Sequence, residues 1–549
     1  MDMFCYQCEQ AAKGTGCTRV GVCGKDPETA ALQDMLIEVS KGLAHWGHRA
    51  RALGRKHQAA DRYLLEALFS TVTNVNFDPD RLWDKLQQGL ALREEVRGLY
   101  EEACREAGRQ PETLDGAAAW RPAADRGQAA AAAGDLSISA RRNTLGEDVV
   151  GLQELLLYGL KGVAAYADHA LLLGKEDEEV YAFFHEVLDA LTREDLGAED
   201  LLGLVLRCGE VNLSVMKMLD AAHTGTFGNP EPTAVRISPV KGKAILVSGH
   251  DLKDLHALLQ QTEGTGIQVY THGEMLPAHG YPGLKKYSHL AGNYGGAWQD
   301  QQREFEAFPG SILMTTNCIQ KPRSGYLNRI FTGGLVAWPG VQHLSGHDYR
   351  PLMDAAQRAP GFEADAPEKT IMVGFGHHAV GQAAGDVVAA VQRGDIRHFF
   401  LIGGCDGAKP GRNYFTELAE QVPEDCMILT LACGKYRFNK LDFGQVAGLP
   451  RLLDVGQCND AYSAIQIAVA LATAFKVGVN ELPLSLILSW YEQKAVCVLL
   501  SLLHLGIQGI RLGPTLPAFV TPAMLKILQD KFDIQPITTP EQDLATILG

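Results

Sequence analysis

Four cysteines lie within the first 23 residues of the chain. Their spacing is Cys5-x2-Cys8-x8-Cys17-x5-Cys23, in a glycine-rich segment with too few apolar residues to form a core of its own. Four thiolates in one short loop can bind an iron–sulfur cluster or a zinc ion, and disulfides are a third arrangement. The close Cys-x2-Cys pair and the glycine-rich filling favour the iron–sulfur cluster.

Seven further side chains that can bind metals each follow a short apolar run that is typical of a buried strand. They are His250, Glu274, Cys318, Cys405, Cys433, Cys458 and Glu492. Because the carboxyl ends of parallel strands meet at one edge of a sheet, we expect these side chains to converge. Four sulfur ligands, one imidazole and two carboxylates suit a metal cluster that combines sulfur-bound iron with oxygen-bound iron.

Each of these seven residues also has a structural explanation when it is taken alone. A cysteine beside a strand is often only a small buried apolar residue, His250 could cap a helix, and each glutamate could pair with a base. The structural explanation is weaker for the whole set, because a buried carboxylate needs a partner and a metal is one natural choice. We prefer it for four other cysteines in apolar or helical patterns, namely Cys104, Cys208, Cys426 and Cys497.

The elements that position these residues fall into two types. From residue 28 to about 225 the apolar spacing predicts helices, and residues 41–44 (KGLA) are echoed 120 residues later at 161–164 (KGVA). Two related helical bundles explain this echo, with chance similarity between amphipathic helices as the alternative. The alanine- and glycine-rich stretch 116–134 is expected to join them.

After residue 229, short apolar runs alternate with helical segments, which predicts parallel sheets covered on both faces. The run TIMVGFG at 370–376 is included among these strands. The fold class is therefore multidomain α and α/β, with the metal cluster at a domain interface. The predicted parts are a cysteine loop at 1–27, an all-α domain at 28–228, and α/β domains at 229–362 and 363–549.

Composition excludes several classes of protein. A formal net charge of −15 and a pI near 5.6 disfavour nucleic acid as a partner, and no stretch is long and uncharged enough to span a membrane. Met1 lies directly before the cysteine loop, so we expect no signal peptide and a cytoplasmic location, where thiols stay reduced. No flavin or nicotinamide motif is evident, so an external redox protein is the expected electron donor. A monomer is expected.

The chain resembles the hybrid cluster proteins, also called prismane proteins or hydroxylamine reductases. In that family a helical domain of two three-helix bundles precedes two Rossmann-like α/β domains with mainly parallel sheets. The resemblance covers almost the whole chain and rests on nine segments in the same order: MFCYQCEQ at 3–10, TVTNVNFD at 71–78, LVSGHDLKDL at 246–255, THGEMLPAHGYP at 271–282, TTNCIQ at 315–320, GGCDGAKPGR at 403–412, LACGKYRFN at 431–439, DVGQCND at 454–460 and SWYEQKA at 489–495.

The resemblance implies two metal centres. Cys5, Cys8, Cys17 and Cys23 would hold a [4Fe-4S] cluster, whereas another branch of the family has wider spacing and a [2Fe-2S] cluster. The seven strand-end residues would hold a hybrid [4Fe-2S-2O] cluster, with an extra sulfur on Cys405 as a persulfide.

The activity that the resemblance implies is the two-electron cleavage of hydroxylamine to ammonia and water. In this scheme Glu492 and Lys494 relay protons, and His250 and Glu274 exchange between ligand and proton carrier. Nitric oxide is an alternative substrate, and transfer of nitrosyl groups to partner thiols in nitrosative-stress defence is an alternative function. Carbon monoxide dehydrogenase-like chemistry is a further alternative, but Glu274 and Glu492 favour an oxygen-bridged iron cluster over a nickel site.

Overall fold

The N-terminal part of the protein is helical and built from two copies of one unit. The computed structural model describes residues 3–408 and 411–549, so Lys409 and Pro410 of the segment at 403–412 lie outside the described residues. The predicted offset is observed, since the first and second helices of the two units begin 120 residues apart. The helices are α1 (Pro27–Ala52), α2 (Gln58–Ser70), α3 (Pro79–Glu106), α4 (Arg126–Ala132), α5 (Ile138–Leu145), α6 (Glu147–Leu172), α7 (Glu178–Ala190) and α8 (Ala198–Phe227).

The two three-helix bundles exchange their middle helices. Helix α1 packs against α3 and α7, whereas α6 packs against α8 and α2. Gly47 of α1 permits helix α7 to pack this closely, because it has no side chain. A Cβ at this position would collide with the ring of His185 in α7, at 2.3 Å. His185 Nε2 in turn lies 2.8 Å from Asp61 Oδ1 in α2. The two units are therefore interlocked rather than side by side.

A parallel six-stranded sheet follows the helices. Its strand order is β4-β3-β2-β5-β6-β7, and every pairing in it is parallel. The elements of this part are β1 (Thr233–Arg236), β2 (Lys243–Ser248), α9 (Leu252–Thr262), β3 (Ile267–His272), α10 (Pro282–Lys285), β4 (Leu290–Asn293), α11 (Gln301–Ala307), β5 (Ser311–Met314), β6 (Ile330–Thr332), β7 (Gln342–His343) and α12 (Arg350–Arg358).

A second parallel six-stranded sheet has the order β13-β10-β9-β14-β15-β16. The domain limits predicted at residues 228 and 362 remain a prediction. The elements are β8 (Thr370–Val373), α13 (His377–Gln382), α14 (Ala384–Arg393), β9 (His398–Gly404), α15 (Tyr414–Gln421), β10 (Cys426–Leu431), β11 (Gln445–Val446), β12 (Leu449–Pro450), β13 (Leu452–Gly456), α16 (Ala461–Phe475), β14 (Leu484–Ser489), α17 (Gln493–His504), β15 (Arg511–Gly513), α18 (Pro522–Phe532), β16 (Gln535–Pro536) and α19 (Pro540–Leu548).

One predicted strand was assigned to the wrong kind of sheet. Strand β8 does not join a parallel sheet but pairs antiparallel with β1, with Val373 opposite Thr233. Its side chains alternate, because Ile371 and Val373 are buried whereas Met372 is 44% exposed. Such alternation is typical of an antiparallel strand with one face in solvent, and the apolar Met372 concealed it in the sequence.

In the part of the chain that is described, no helix is both long and apolar enough to cross a bilayer.

Helices α8 and α17 approach so closely that Gly209 has no room for a side chain. A Cβ at Gly209 would lie 2.0 Å from the backbone oxygen of Leu500. We expect Gly209→Ala to destabilise the protein by about 1–3 kcal/mol, because overpacking outweighs the gain in helix propensity. The matched control is Gly203→Ala in the same helix, where a Cβ meets nothing within 4 Å.

This control should stabilise the protein by about 0.5–1 kcal/mol through helix propensity alone. Urea unfolding followed by circular dichroism measures both effects. Equal shifts of the two midpoints in the same direction would contradict the packing explanation.

Candidate metal centres

All seven predicted strand-end residues lie one to four residues beyond the carboxyl end of a strand: His250 after β2, Glu274 after β3, Cys318 after β5, Cys405 after β9, Cys433 after β10, Cys458 after β13 and Glu492 after β14. The carboxyl edges of the two sheets face each other. Gln457 Nε2, beside Cys458 on the second sheet, donates to the backbone oxygens of Glu274 (2.8 Å) and His250 (3.1 Å) on the first. The structure therefore places these strand ends at one interface.

Three of these residues already have the geometry of metal ligands. One ligand atom each of His250, Glu274 and Cys458 lies within 4.8 Å of the others, and all three residues are buried. Glu274 Oε2 accepts a hydrogen bond from the Cys458 amide (2.9 Å), whereas Glu274 Oε1 is buried without a hydrogen-bond partner among the described residues. Burial raises the pKa of the Glu274 carboxyl. A cation at this point would compensate both the charge and the unpaired oxygen.

The four cysteines supply sulfur around the same point. Cys433 packs in a small apolar cluster with Cys318 and Cys405 against its edge. Burial is the main cause that raises the pKa of all four thiols, to about 12 for Cys458. Neutral thiols become thiolates when a cation lies beside them, so this set fits a metal cluster. The backbone at Cys318 is left-handed, with φ of 75°, a conformation that is uncommon outside glycine and recurs at functional sites.

Lys494 lies at the centre of the polar side of this site. Its Nζ lies 3.0 Å from His250 Nε2, 2.8 Å from Asn317 Oδ1 and 3.6 Å from Glu492 Oε1. Burial opposes the charge on Lys494, but the neighbouring Cys458 and Glu492 outweigh it and raise the pKa of the ammonium group. Lys494 is therefore a buried cation whose ammonium group lies within 4 Å of two predicted ligands, His250 and Glu492.

The N-terminal loop holds its four cysteines by a short backbone bridge. The Cys5 amide donates to the Cys17 oxygen (3.0 Å), and the Cys17 amide donates to the Cys5 oxygen (2.8 Å). All four cysteines are free, so the disulfide alternative is not observed. Within the described residues, no three of the four sulfurs lie within 4.8 Å of one another.

A buried lysine accompanies this loop. Lys25 Nζ lies 3.9 Å from Cys5 Sγ and donates to Gln33 Oε1 at 2.5 Å. Burial alone would lower the pKa of Lys25, but the charges of Cys5 and Cys23 raise it. A buried cation beside four cysteines is suited to a group that carries negative charge.

Known proteins share both the sequence and the architecture of this chain. A family model described as Prismane/CO dehydrogenase family matches residues 3–545. The chain belongs to this family. A protein named hydroxylamine reductase from Geobacter metallireducens is 57% identical and is matched over 100% of both chains. Another of the same name, from Rhodospirillum rubrum, is 57% identical over 99% of both chains.

Solved carbon monoxide dehydrogenases share the fold of this Prismane/CO dehydrogenase family member. Carbon monoxide dehydrogenase IV from Carboxydothermus hydrogenoformans superposes with a TM-score of 0.55 at 16% identity, covering 99% of this chain and 92% of that one. The as-isolated nickel-free enzyme from Thermococcus sp. AM4 gives a TM-score of 0.53 at 17% identity, covering 99% and 89%. At such identity the likeness concerns the fold alone. The predicted fold class and the family resemblance are both confirmed.

The two cysteine sites of this family member are linked by aromatic packing. Cys8 of the N-terminal loop and Cys433 of the strand-end site belong to one buried apolar cluster with Trp298 and Tyr491. The rings of Trp298 and Tyr491 lie 4.2 Å apart between centroids. The Glu9 amide donates to the Tyr491 backbone oxygen at 2.9 Å. The N-terminal loop is therefore fixed directly against the loop that carries Glu492.

An apolar cavity of about 550 Å³ leads to the strand-end site. Its inner end is lined by Cys405 and Cys458, and its outer end by Asn480, Glu481 and Gln508, which are exposed. The walls between these ends are mainly leucine, isoleucine, valine and alanine. Such a passage admits a small uncharged molecule and disfavours ions, because an ion would lose its hydration shell there without gaining polar contacts in return.

Several side chains that shape the site were not singled out from the sequence. Thr316 Oγ1 accepts from the His250 amide (2.8 Å) and lies 3.3 Å from His250 Nδ1, which directs Nε2 towards Lys494. Tyr166 is fully buried, and its hydroxyl has no hydrogen-bond partner among the described residues. It lies close to Cys458 and lowers the pKa of that thiol, although burial raises this pKa more strongly. His169 stacks on His250 with ring centroids 6.2 Å apart. Thr316 lies two residues before Cys318, so its place near the site could have been predicted. Nothing in the sequence of helix α6 indicated that Tyr166 or His169 would lie beside the site.

Proposed function

We propose that this protein is a hydroxylamine reductase. The reaction takes NH₂OH, two electrons and two protons to NH₃ and H₂O, and the bond that breaks is the N–O bond. The observation that carries the proposal is the convergence of His250, Glu274 and Cys458 beside buried Cys433 and half-buried Cys318 and Cys405, at the end of an apolar passage. Relatives of the same length at 57% identity that bear this name support it.

The proposal includes two metal centres. Cys5, Cys8, Cys17 and Cys23 would hold a [4Fe-4S] cluster, and a hybrid [4Fe-2S-2O] cluster would be held by His250, Glu274, Cys318, Cys405, Cys433, Cys458 and Glu492. When bound, the hybrid cluster would supply the iron that takes the nitrogen or oxygen atom of the substrate, together with the electrons. Cys405, at the inner end of the cavity, is the proposed site of a persulfide.

The protein's own polar groups would supply the protons. Lys494 is held by Asn317 and His250 with its Nζ facing the proposed ligands, so it is placed to donate a proton as the N–O bond breaks. Glu492 lies 3.6 Å from Lys494 Nζ and can return a proton to it. His250 and Glu274 complete the proposed catalytic set. All four side chains are buried, so water screens their charges poorly.

An external redox protein is the proposed electron donor, and a reducing cytoplasm is the proposed location. All twelve cysteines are free, which is compatible with such a compartment. Trp298 and Tyr491 fill the space between Cys8 and Cys433 and keep water out of it. The protein is proposed to act as a monomer.

Nitric oxide is the second candidate substrate. The apolar walls of the cavity favour it, because nitric oxide is uncharged and makes almost no hydrogen bonds that must be broken on entry. Both substrates would use the same inner end of the cavity at Cys405 and Cys458. A comparison of kcat/KM for the two molecules in one preparation decides between them.

Anaerobic purification tests the proposal. We expect iron and sulfide sufficient for two clusters, no stoichiometric nickel, and two electron paramagnetic resonance signals with different midpoint potentials. Turnover with reduced methyl viologen should release one ammonia per hydroxylamine. A protein with full iron content that releases no ammonia would reject the activity, and stoichiometric nickel would favour carbon monoxide dehydrogenase-like chemistry.

Tyr166→Phe tests the surroundings of the buried centre without removing a ligand. We expect a fall of its midpoint potential on the order of tens of millivolts, because the unpaired Tyr166 hydroxyl can donate to the Cys458 thiolate of a bound cluster and so stabilise the reduced state. The N-terminal centre should keep its potential. The control is Tyr63→Phe, a buried tyrosine whose hydroxyl donates to the Lys85 oxygen at 3.0 Å. Equal potentials in wild type and Tyr166→Phe would show that the hydroxyl does not act on the cluster.

A further inference from the structure

The loop between Cys17 and Cys23 exposes apolar side chains to solvent. Val20 and Val22 are each 57% exposed, more than any other large apolar residue in the part of the chain that the structure describes. Both valines lie in this loop, and the cluster that its cysteines are proposed to bind is the proposed entry point for electrons. Exposed apolar side chains with a polar rim often mark interaction surfaces.

The N-terminal segment that contains this loop is positively charged in a negatively charged protein. Residues 10–25 contain three basic residues and no acid, although the chain carries a formal net charge of −15. Of the three, Lys13 and Arg19 are exposed, and Lys25 is buried. The next acid, Asp26, uses its carboxylate to cap α1 by accepting from the Thr29 amide at 2.7 Å.

A third exposed cation joins this surface from the first sheet. A Cβ at Gly24 would lie 3.9 Å from Lys321 Cβ and 3.1 Å from the ring of Trp338. Lys321 is exposed and follows Cys318 by three residues. We use the term cysteine-loop face for the exposed residues of the cysteine segment and of this neighbouring loop, namely Lys13, Arg19, Val20, Val22 and Lys321.

We propose that the cysteine-loop face docks an acidic protein that carries one electron at a time. The proposal rests on the proposed function, in which the cluster of this loop receives electrons from outside. The two valines supply a small apolar contact, and the cations around them attract a partner of opposite charge and orient it. Redox encounters typically use such small surfaces.

The electron balance is simple. The reduced carrier loses one electron and the N-terminal cluster gains it, and no covalent bond forms or breaks. Two successive dockings supply the two electrons that one hydroxylamine consumes. A net negative charge over the rest of the surface would repel an acidic carrier elsewhere, which adds selectivity for this face.

The test uses the anaerobic holoprotein with reduced flavodoxin as the acidic carrier, and stopped-flow absorbance of the N-terminal cluster. We expect Lys13→Glu/Arg19→Glu to lower the second-order rate constant about tenfold or more at low salt, and to flatten its dependence on ionic strength. Val20→Ser/Val22→Ser should lower the rate constant about threefold at all salt concentrations, since apolar contact is not screened. Iron counts verify that each variant keeps its clusters.

Matched controls change similar residues elsewhere. Arg109→Glu alters an exposed arginine after α3, and Leu441→Ser alters a leucine that is 42% exposed. Both should accept electrons from flavodoxin at the wild-type rate. Reduction by methyl viologen, a small molecule that needs no docking face, should not be slower in any variant.

Three results would overturn the proposal. The first is a flavodoxin rate in the charge variant within twofold of wild type, and the second is an equal loss in Arg109→Glu. The third is a wild-type dimer in sedimentation that Val20→Ser/Val22→Ser converts to monomer, because a second copy would then cover the face. Failure of the proposed function looks different: ammonia release with methyl viologen would be absent while flavodoxin still reduces the N-terminal cluster.

Discussion

Lys494→Gln is expected to lower hydroxylamine turnover by about 10²–10⁴-fold, the range for loss of a general acid. The Lys494 ammonium group lies 3.0 Å from His250 Nε2, and in the proposed mechanism it supplies the proton that the leaving oxygen needs. Glutamine preserves a donor to Asn317 Oδ1 but cannot supply a proton. We expect kcat to fall while KM changes little, because the cavity that admits substrate is unaltered.

The measurement is ammonia release under methyl viologen, together with iron content and the spectra of both centres. The control is Lys253→Gln, a half-buried lysine close to His250 in sequence whose Nζ donates to the Leu172 oxygen. It should retain wild-type turnover. A Lys494→Gln protein with full iron content and turnover within threefold of wild type would remove Lys494 from the mechanism.

Glu492→Gln is expected to lower hydroxylamine turnover more than about 100-fold, because it replaces a proposed anionic ligand with a neutral amide. The N-terminal centre should be unaffected. The side chain also caps α17, since Glu492 Oε2 accepts from the Lys494 amide at 2.9 Å. The amide oxygen of glutamine can keep this cap, so the fold should persist. The buried centre should lose part of its iron or change its resonance signal, while the signal of the N-terminal cluster is unchanged.

Glu481→Gln is the matched control for this change. Glu481 also accepts from a backbone amide at the start of a helical turn, that of Gly478 at 2.7 Å, but it lies at the outer end of the cavity. It should keep both centres and wild-type turnover. Unchanged turnover in Glu492→Gln would show that this carboxylate neither binds iron nor relays protons.

The mixture of ligands separates the competing chemistries. Glu274, after β3 of the first sheet, presents a buried oxygen that has no hydrogen-bond partner within the described part of the chain. Glu492, after β14 of the second sheet, presents a second carboxylate at the same interface, and hard oxygen donors suit iron that carries oxygen. The solved carbon monoxide dehydrogenases share the architecture at 16–17% identity, and a likeness at this level concerns the fold alone. Transfer of nitrosyl groups to partner thiols remains a prediction of the sequence, and the experiment for it is partner nitrosylation without reductant.

The sequence was sufficient to single out the residues that are proposed for both centres. Cysteine spacing within one loop is a local property, and so is the position of a residue after an apolar run, so Cys5 to Cys23 and the seven strand-end residues were predictable. The repeat at an offset of 120 residues was predictable for the same reason. Each of these features is encoded within a few neighbouring residues.

The tertiary structure alone decided how distant segments meet. The exchange of α2 and α7 between bundles, the antiparallel pairing of β8 with β1, and the stacking of His169 on His250 join residues that are far apart in the chain. Their formation depends on which buried faces fit together, because side-chain packing is specific and non-local. Local sequence therefore determined which groups are proposed to carry the chemistry, and packing determined that Lys494, Tyr166 and the apolar cavity lie beside them.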